Sequence, residues 1–193
     1  MPAVKVAAQS VLLQMAAAKE WGDSHYDQLD PLTVAMSPAD ATAGLLSGGG
    51  TFNSAFTIPP FQEMQLSDPA VHTILNSREL LGPSTASYAW TSKRFHDANP
   101  KTYLAVINAL KEASAFITSH PRETIAYYLE DTRVKVDSDV IARVLSDPAN
   151  AYSVTPLASA KWADFMVRSG RSKVAAASWK DLFWPEIHDL PGS

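Results

Sequence analysis

The sequence contains no cysteine. Disulfides, thiolate chemistry and Cys-ligated metal are thereby excluded, while the compartment stays open. It has no run of about 18 apolar residues, so no stretch reads as a membrane-spanning helix. Charge is sparse: 16 Lys and Arg against 20 Asp and Glu in 193 residues leave a net charge of -4. There is no Lys/Arg block of the kind that marks a nucleic-acid platform. Catalytic signatures are missing too, with no G-x-S-x-G elbow and no H-E-x-x-H pair. The five histidines (His25, His72, His96, His120 and His188) lie far apart in sequence and read as surface or capping residues. Asp137 and Asp139 read as helix-start carboxylates rather than an acid–base pair. Met1 is followed at once by PAVKV, without the basic segment or cleavage site of a signal peptide. PAVKV reads as the tail of a buried strand, so the expectation is a fragment or a late start.

What is present is an ordinary globular composition, 46% hydrophobic and 19% charged, enough for one large domain or two small ones. The stretch from Ser84 to Ile117 organises it. Ala86 to Thr91 is apolar and aromatic and suits a strand. Asn99 is placed to cap a helix and Pro100 to occupy its first position. Tyr103, Ile107, Leu110, Ser114 and Ile117 then share one face, widened by Val106 and Ala113.

Upstream, short apolar runs alternate with helical stretches. Val4–Val6, Leu32–Met36, Phe52–Ile58 and Val71–Leu75 are expected strands. VLLQMAAAKEW is an expected helix stopped by Gly22. Ser37 and Pro38 open a second helix, which ends at Gly48-Gly49-Gly50; that triple glycine reads as a plain turn, since it follows a helix instead of opening one. FQEMQL after Pro59-Pro60 is a third. This order predicts a largely parallel sheet covered by helices. Downstream the expectation is helices alone: one after His120-Pro121, one over Asp137–Leu145, and one opened by Thr155-Pro156 and ended by Gly170. The aromatic tail SWKDLFWPEIHDLPGS is expected to pack on a surface.

In an open α/β sheet, ligands gather where strands run into helix N-termini, and the free N–H groups there favour anions. That rule singles out Gln9 and Ser10 at the first helix, Thr57 at the end of the third strand, and Ser37 at the second helix. For Ser10 capping is the competing role, and for Thr57 a rigid turn.

The segments PAVKVAAQSVLLQMA, LTVAMSPADATAGLLSGG, FNSAFTIPPFQEM, ILNSRELLG and SYAWTSKRFHDANPKTYLAVINALKEA together resemble the nitrate/sulfonate/taurine group of ABC-importer solute-binding proteins. The resemblance implies an α/β fold of the type II periplasmic-binding-protein kind. Residues 1–82 would be the βα second lobe, and residues 83–193 the crossover strand and C-terminal helices of the first lobe. It implies a small anionic solute such as a sulfonate, taurine or nitrate as ligand, an ABC permease as partner and a periplasmic location. A hinge would lie near Gly82–Ser87. Neither enzymatic activity, nor a cofactor, nor a metal is expected. The family's N-terminal segment has no counterpart here, which raises the alternative of a non-binding scaffold or interaction protein. Thiamine-pyrimidine synthases resemble the same fold but carry a cysteine-rich motif, which this chain lacks. Without the first lobe's strands, faces such as Tyr103/Ile107/Leu110, Ile125/Tyr128/Leu129 and Trp162/Phe165/Met166 would meet water, so self-association is expected.

Overall fold

The structure is a computed structural model that describes every residue except 49, 51 and 133. The triple-glycine turn therefore falls in part outside the described residues. Among the described residues the chain is 54% helix and has no strand. The helices are α1 (Ala8–Trp21), α2 (Pro38–Leu46), α3 (Phe61–Leu66), α4 (Ser77–Leu81), α5 (Lys93–Ala98), α6 (Pro100–Ser119), α7 (Pro121–Asp131), α8 (Ser138–Ser146) and α9 (Ser159–Arg168). The chain forms two compact units: Met1–Gly82 with Phe165–Lys173, and Pro83–Asp164 with Val174–Ser193.

The expected α/β fold of the type II periplasmic-binding kind is therefore corrected to an all-helical one. Val4–Val6 is a turn, Leu32 ends a 3-10 turn, and the runs at 33–36, 52–58, 71–75 and 86–91 are irregular. Their surroundings explain this. Pro2, Pro31, Pro38, Pro59, Pro60, Pro69 and Pro83 flank or interrupt these runs and remove donors that a ladder needs. The apolar residues also fail to meet a second layer: Leu32 is 79% exposed and Ile74 74%. A parallel sheet would bury both. The nearest thing to a ladder is two backbone bonds, Met36 N–H to Met1 O at 2.9 Å and the Met1 amino group to Val34 O at 3.2 Å.

In the first unit α1 draws on strong helix formers and buries Ser10, Val11, Gln14, Ala17 and Ala18 along one face. Gly22 ends it with φ at +90°, a conformation that suits glycine. α1 packs against α4, where Leu81 is buried. Gln14 donates from Nε2 to both Asp30 oxygens, at 2.9 and 2.8 Å, which pins the 3-10 turn Asp30–Leu32 to α1. α2 and α3 are tied by a buried bond from Gln65 Nε2 to Thr42 Oγ1 at 2.9 Å. The C-terminal part of α9 supplies Phe165, whose ring meets Tyr26 edge-on at 6.2 Å. Gly170 follows with φ at +72°, and the Arg171 N–H bonds Met166 O at 2.8 Å.

In the second unit α5 packs on α6, α6 on α7 and α7 on α8. Ile107, Ile141, Val144 and Ala158 form the buried apolar set. Asn99 precedes α6 as expected, but its side chain makes no cap bond there; its Nδ2 donates backwards to Phe95 O at 3.1 Å and closes α5 instead. α9 begins at Ser159, three residues after Pro156. Leu157 is held by two bonds to Thr85, one to the side-chain oxygen at 2.9 Å and one from the Thr85 N–H at 3.0 Å.

Candidate functional site

The four residues placed at strand-to-helix junctions all lie in the first unit. Gln9 and Ser10 sit inside the first turn of α1, behind an Ala7 N-cap. Ser10 is buried, and its hydroxyl donates to Ala3 O at 2.9 Å and approaches Met1 Sδ at 2.8 Å. Ser37 caps α2, accepting from the Asp40 N–H at 3.1 Å. Thr57 contacts the next residue's carbonyl, Ile58 O, at 3.5 Å. Each of these hydrogen bonds runs to a residue within nine positions, so none links one of the four to another. With no strands among the described residues, no sheet edge gathers them.

The second unit holds a more closely built group around His96. Ser92 caps α5 by accepting from the Phe95 N–H at 3.1 Å. The six residues of α5 set Lys93, His96 and Asp97 at helical spacings of three and four, on adjoining positions of one face. Pro100 restarts the helix at once, which brings Tyr103 of α6 edge-on to the His96 ring at 4.7 Å. The other side of the ring is covered by Trp184, stacked at 4.0 Å and 8°. Trp184 precedes a short 3-10 turn, Pro185–Ile187, that delivers Glu186. His96 Nε2 lies 2.9 Å from Glu186 Oε1, and His96 Nδ1 lies 3.1 Å from Asp97 Oδ1. Lys93 Nζ pairs with the other Asp97 oxygen.

The electrostatics follow from that geometry. Hydrogen bonds to Asp97 and then Glu186 hold the His96 pKa above its ordinary value, against a smaller opposing effect of burial. Asp97 is held below the usual carboxylate range by its bonds to Lys93 and His96. Burial works against ionisation of Glu186, but a hydrogen bond from its own backbone and one from His96 outweigh it, and its pKa is lowered. Tyr103 is raised by burial and by the Glu186 charge. Both imidazole nitrogens are thus committed to carboxylates. The ring offers no free lone pair for a general base or a metal, and the group works as a clamp. Among the described residues no cluster of His, Cys, Asp and Glu could hold a metal ion.

A groove of about 490 Å³ lies elsewhere in the same unit. Lys111, Ser114, Ala115 and Thr118 of α6 form one wall, and Tyr152 and Ser153 contribute to the other. The α6 residues share a face at spacings of three and four. Lys111 makes no ion pair among the described residues.

The chain matches no family model, no curated protein and no solved structure. The resemblance to solute-binding proteins is overturned by the strandless fold and gains nothing from these comparisons. The transport and ABC-importer assignments that rested on it are withdrawn. Among the described residues no helix is long and apolar enough to cross a membrane.

Sequence reasoning missed the His96 clamp because Glu186 is ninety positions away. Two signals were available: the Lys93/Asp97 spacing, which suits an ion pair on one helical turn, and the Trp184-Pro185-Glu186 run. The Lys111 groove had no signal, since its second wall comes from an irregular segment.

Proposed function

We propose that this chain is a non-enzymatic interaction protein that associates with a second copy of itself. The observation that carries this is exposed area. The chain exposes 12599 Å². A compact protein of 20.9 kDa exposes about 9,000 Å², and two separate bodies of half that mass would together expose about 10,800 Å². The chain exceeds even the larger figure by about 1,800 Å². A standard interface buries about 800 Å² per partner. The surplus is therefore more than twice what a stable dimer needs.

Part of the surplus lies on α6. Tyr103, Val106, Leu110, Ala113 and Ile117 are spaced by three and four in turn, the pattern of a coiled-coil seam. Ile107, beside this seam, is buried within the chain, whereas Val106 is 50% exposed and Leu110 43%. Tyr127 and Leu129 add exposed apolar surface on α7, which packs on α6. Phe165, named above among the faces expected to meet water, is already covered inside the first unit. The α6 seam is thus a continuous helical face open to a partner, and pairing it with its own copy satisfies two-fold symmetry. Sedimentation at micromolar concentration is expected to give the mass of a dimer. A single monomeric boundary across the accessible concentration range would end this reading.

A second reading keeps a small anionic solute as ligand. Lys111 and the hydroxyls lining its groove favour it. Titration with taurine, an alkanesulfonate and nitrate is then expected to shift the amide resonances of residues 111–119 and 152–154. Unchanged resonances there would leave association as the single activity.

A further inference from the structure

We propose, on the basis of the anion reading of the Lys111 groove, that its ligand is a monoanion with an apolar body and no cationic group. The oxyanion head sits at Lys111, and the body lies along α6 toward Ser119. Free donors locate the head. Lys111 Nζ and Ser114 Oγ make no hydrogen bond or ion pair among the described residues. Ser153 Oγ accepts from the Thr155 N–H at 3.0 Å, which leaves its own proton to donate. Three donors without a protein acceptor therefore border one groove, and one of them is a cation. Lys111 and Ser114 stand three positions apart and are neighbours on the helix surface. An oxyanion, which only accepts, answers all three.

The other end of the groove offers less to a polar group. Thr118 Oγ1 donates to Ser114 O at 3.2 Å, and Ser119 Oγ is engaged with Ala115 O at 2.8 Å and His120 Nδ1 at 2.7 Å. Ala115 and Val154 add apolar wall. α6 ends at Ser119, so its last carbonyls carry the negative end of the helix dipole. A negative head is disfavoured there and favoured at Lys111, about 12 Å back along the axis. An uncharged body fits the Ser119 end.

The same chemistry rejects other small anions. No Asp or Glu lines the groove among the described residues. A zwitterion such as taurine brings an ammonium that finds no counter-charge and resists desolvation. Nitrate satisfies the donors but has nothing to lay against Ala115 and Val154. The volume of about 490 Å³ falls in the range of about 300–1,000 Å³ usual for organic ligands, well above the need of an inorganic ion.

Titration of the full chain, followed by the amide resonances of residues 111–119 and 152–154, tests this with five probes: hexanesulfonate, hexanoate, hexylammonium, taurine and nitrate. Both hexyl anions are expected to bind at least about tenfold more tightly than taurine or nitrate, since each methylene covered by the groove adds to affinity. Hexylammonium, with the same body and the opposite charge, should leave these resonances in place. Lys111→Gln should weaken both hexyl anions about fivefold, whereas Lys101→Gln, on the same helix but outside the groove, should not. Hexyl anions that bind no better than taurine and nitrate overturn the proposal and leave the anion reading standing. Hexylammonium binding as well as hexanoate overturns it, and so does a Lys111→Gln variant with wild-type affinity for the hexyl anions. If none of the five probes moves these resonances, the anion reading itself fails and the proposal falls with it.

Discussion

Phe165→Ala is expected to lower stability by about 3–5 kcal/mol, the usual cost of truncating a fully buried aromatic ring. Phe165 is 1% exposed. Three losses combine at this site. The ring's transfer out of water is forfeited, and so is its edge-on contact with Tyr26, worth about 0.5–1.5 kcal/mol beyond area. The Arg168 guanidinium, 5.4 Å above the ring, also loses its π partner. Arg168 keeps its ion pair with Asp23, so the charge itself is not stranded. At about 2–4 °C per kcal/mol for a chain of this size, the melting temperature should drop by about 6–20 °C. Trp90→Ala, at a residue 90% exposed, is the counterpart and should change stability by no more than about 0.5 kcal/mol. Phe165 opens the segment Phe165–Lys173 that belongs with Met1–Gly82. Thermal unfolding of Phe165→Ala within about 1 kcal/mol of the wild type would mean that this segment is not a working part of that unit's core.

The helices were largely legible because their signals are local. Ser37 with Pro38 announces α2, FQEMQL is α3 residue for residue, and Pro100 and Pro121 stand at the first positions of α6 and α7. The strands were misread because a strand has no local guarantee. LTVAM and FNSAFTI have β-like composition, yet a strand exists only if a neighbour accepts from its N–H groups and donates to its C=O groups. Here the flanking prolines and the lack of a covering layer leave those runs irregular, and the resemblance to a sheet-based family inherited the error. Asn99 illustrates a subtler limit. The dipeptide Asn-Pro marks the junction correctly, but whether the amide serves the helix ahead or the one behind depends on backbone geometry, and it serves α5. The His96 clamp was half legible: the aromatic tail reads as a surface-packing segment, but nothing in the sequence says which residue it meets.

Val106→Glu together with Leu110→Glu is expected to weaken self-association at least about a hundredfold, equivalent to about 2.7 kcal/mol, without unfolding the monomer. Both side chains are about half exposed in the single chain, so their replacement costs the isolated fold little. In a paired seam the same positions meet their own copies, and each substitution sets a carboxylate against apolar surface and a like charge. The seam has no lysine or arginine of its own to neutralise them: Lys101 and Lys111 fall off it, as does Glu112. Leu104→Glu supplies the control. Leu104 lies on the same helix and is 44% exposed, but it points away from the Tyr103–Ile117 stripe. It adds a carboxylate to the helix without touching the seam, so a general charge effect would weaken association there too. The expected pattern is dissociation by the double variant, wild-type behaviour by Leu104→Glu, and unchanged helical content in both by circular dichroism. Equal dimer affinity in the double variant and the wild type would move the interface off α6 while leaving the surplus of exposed area still to be covered.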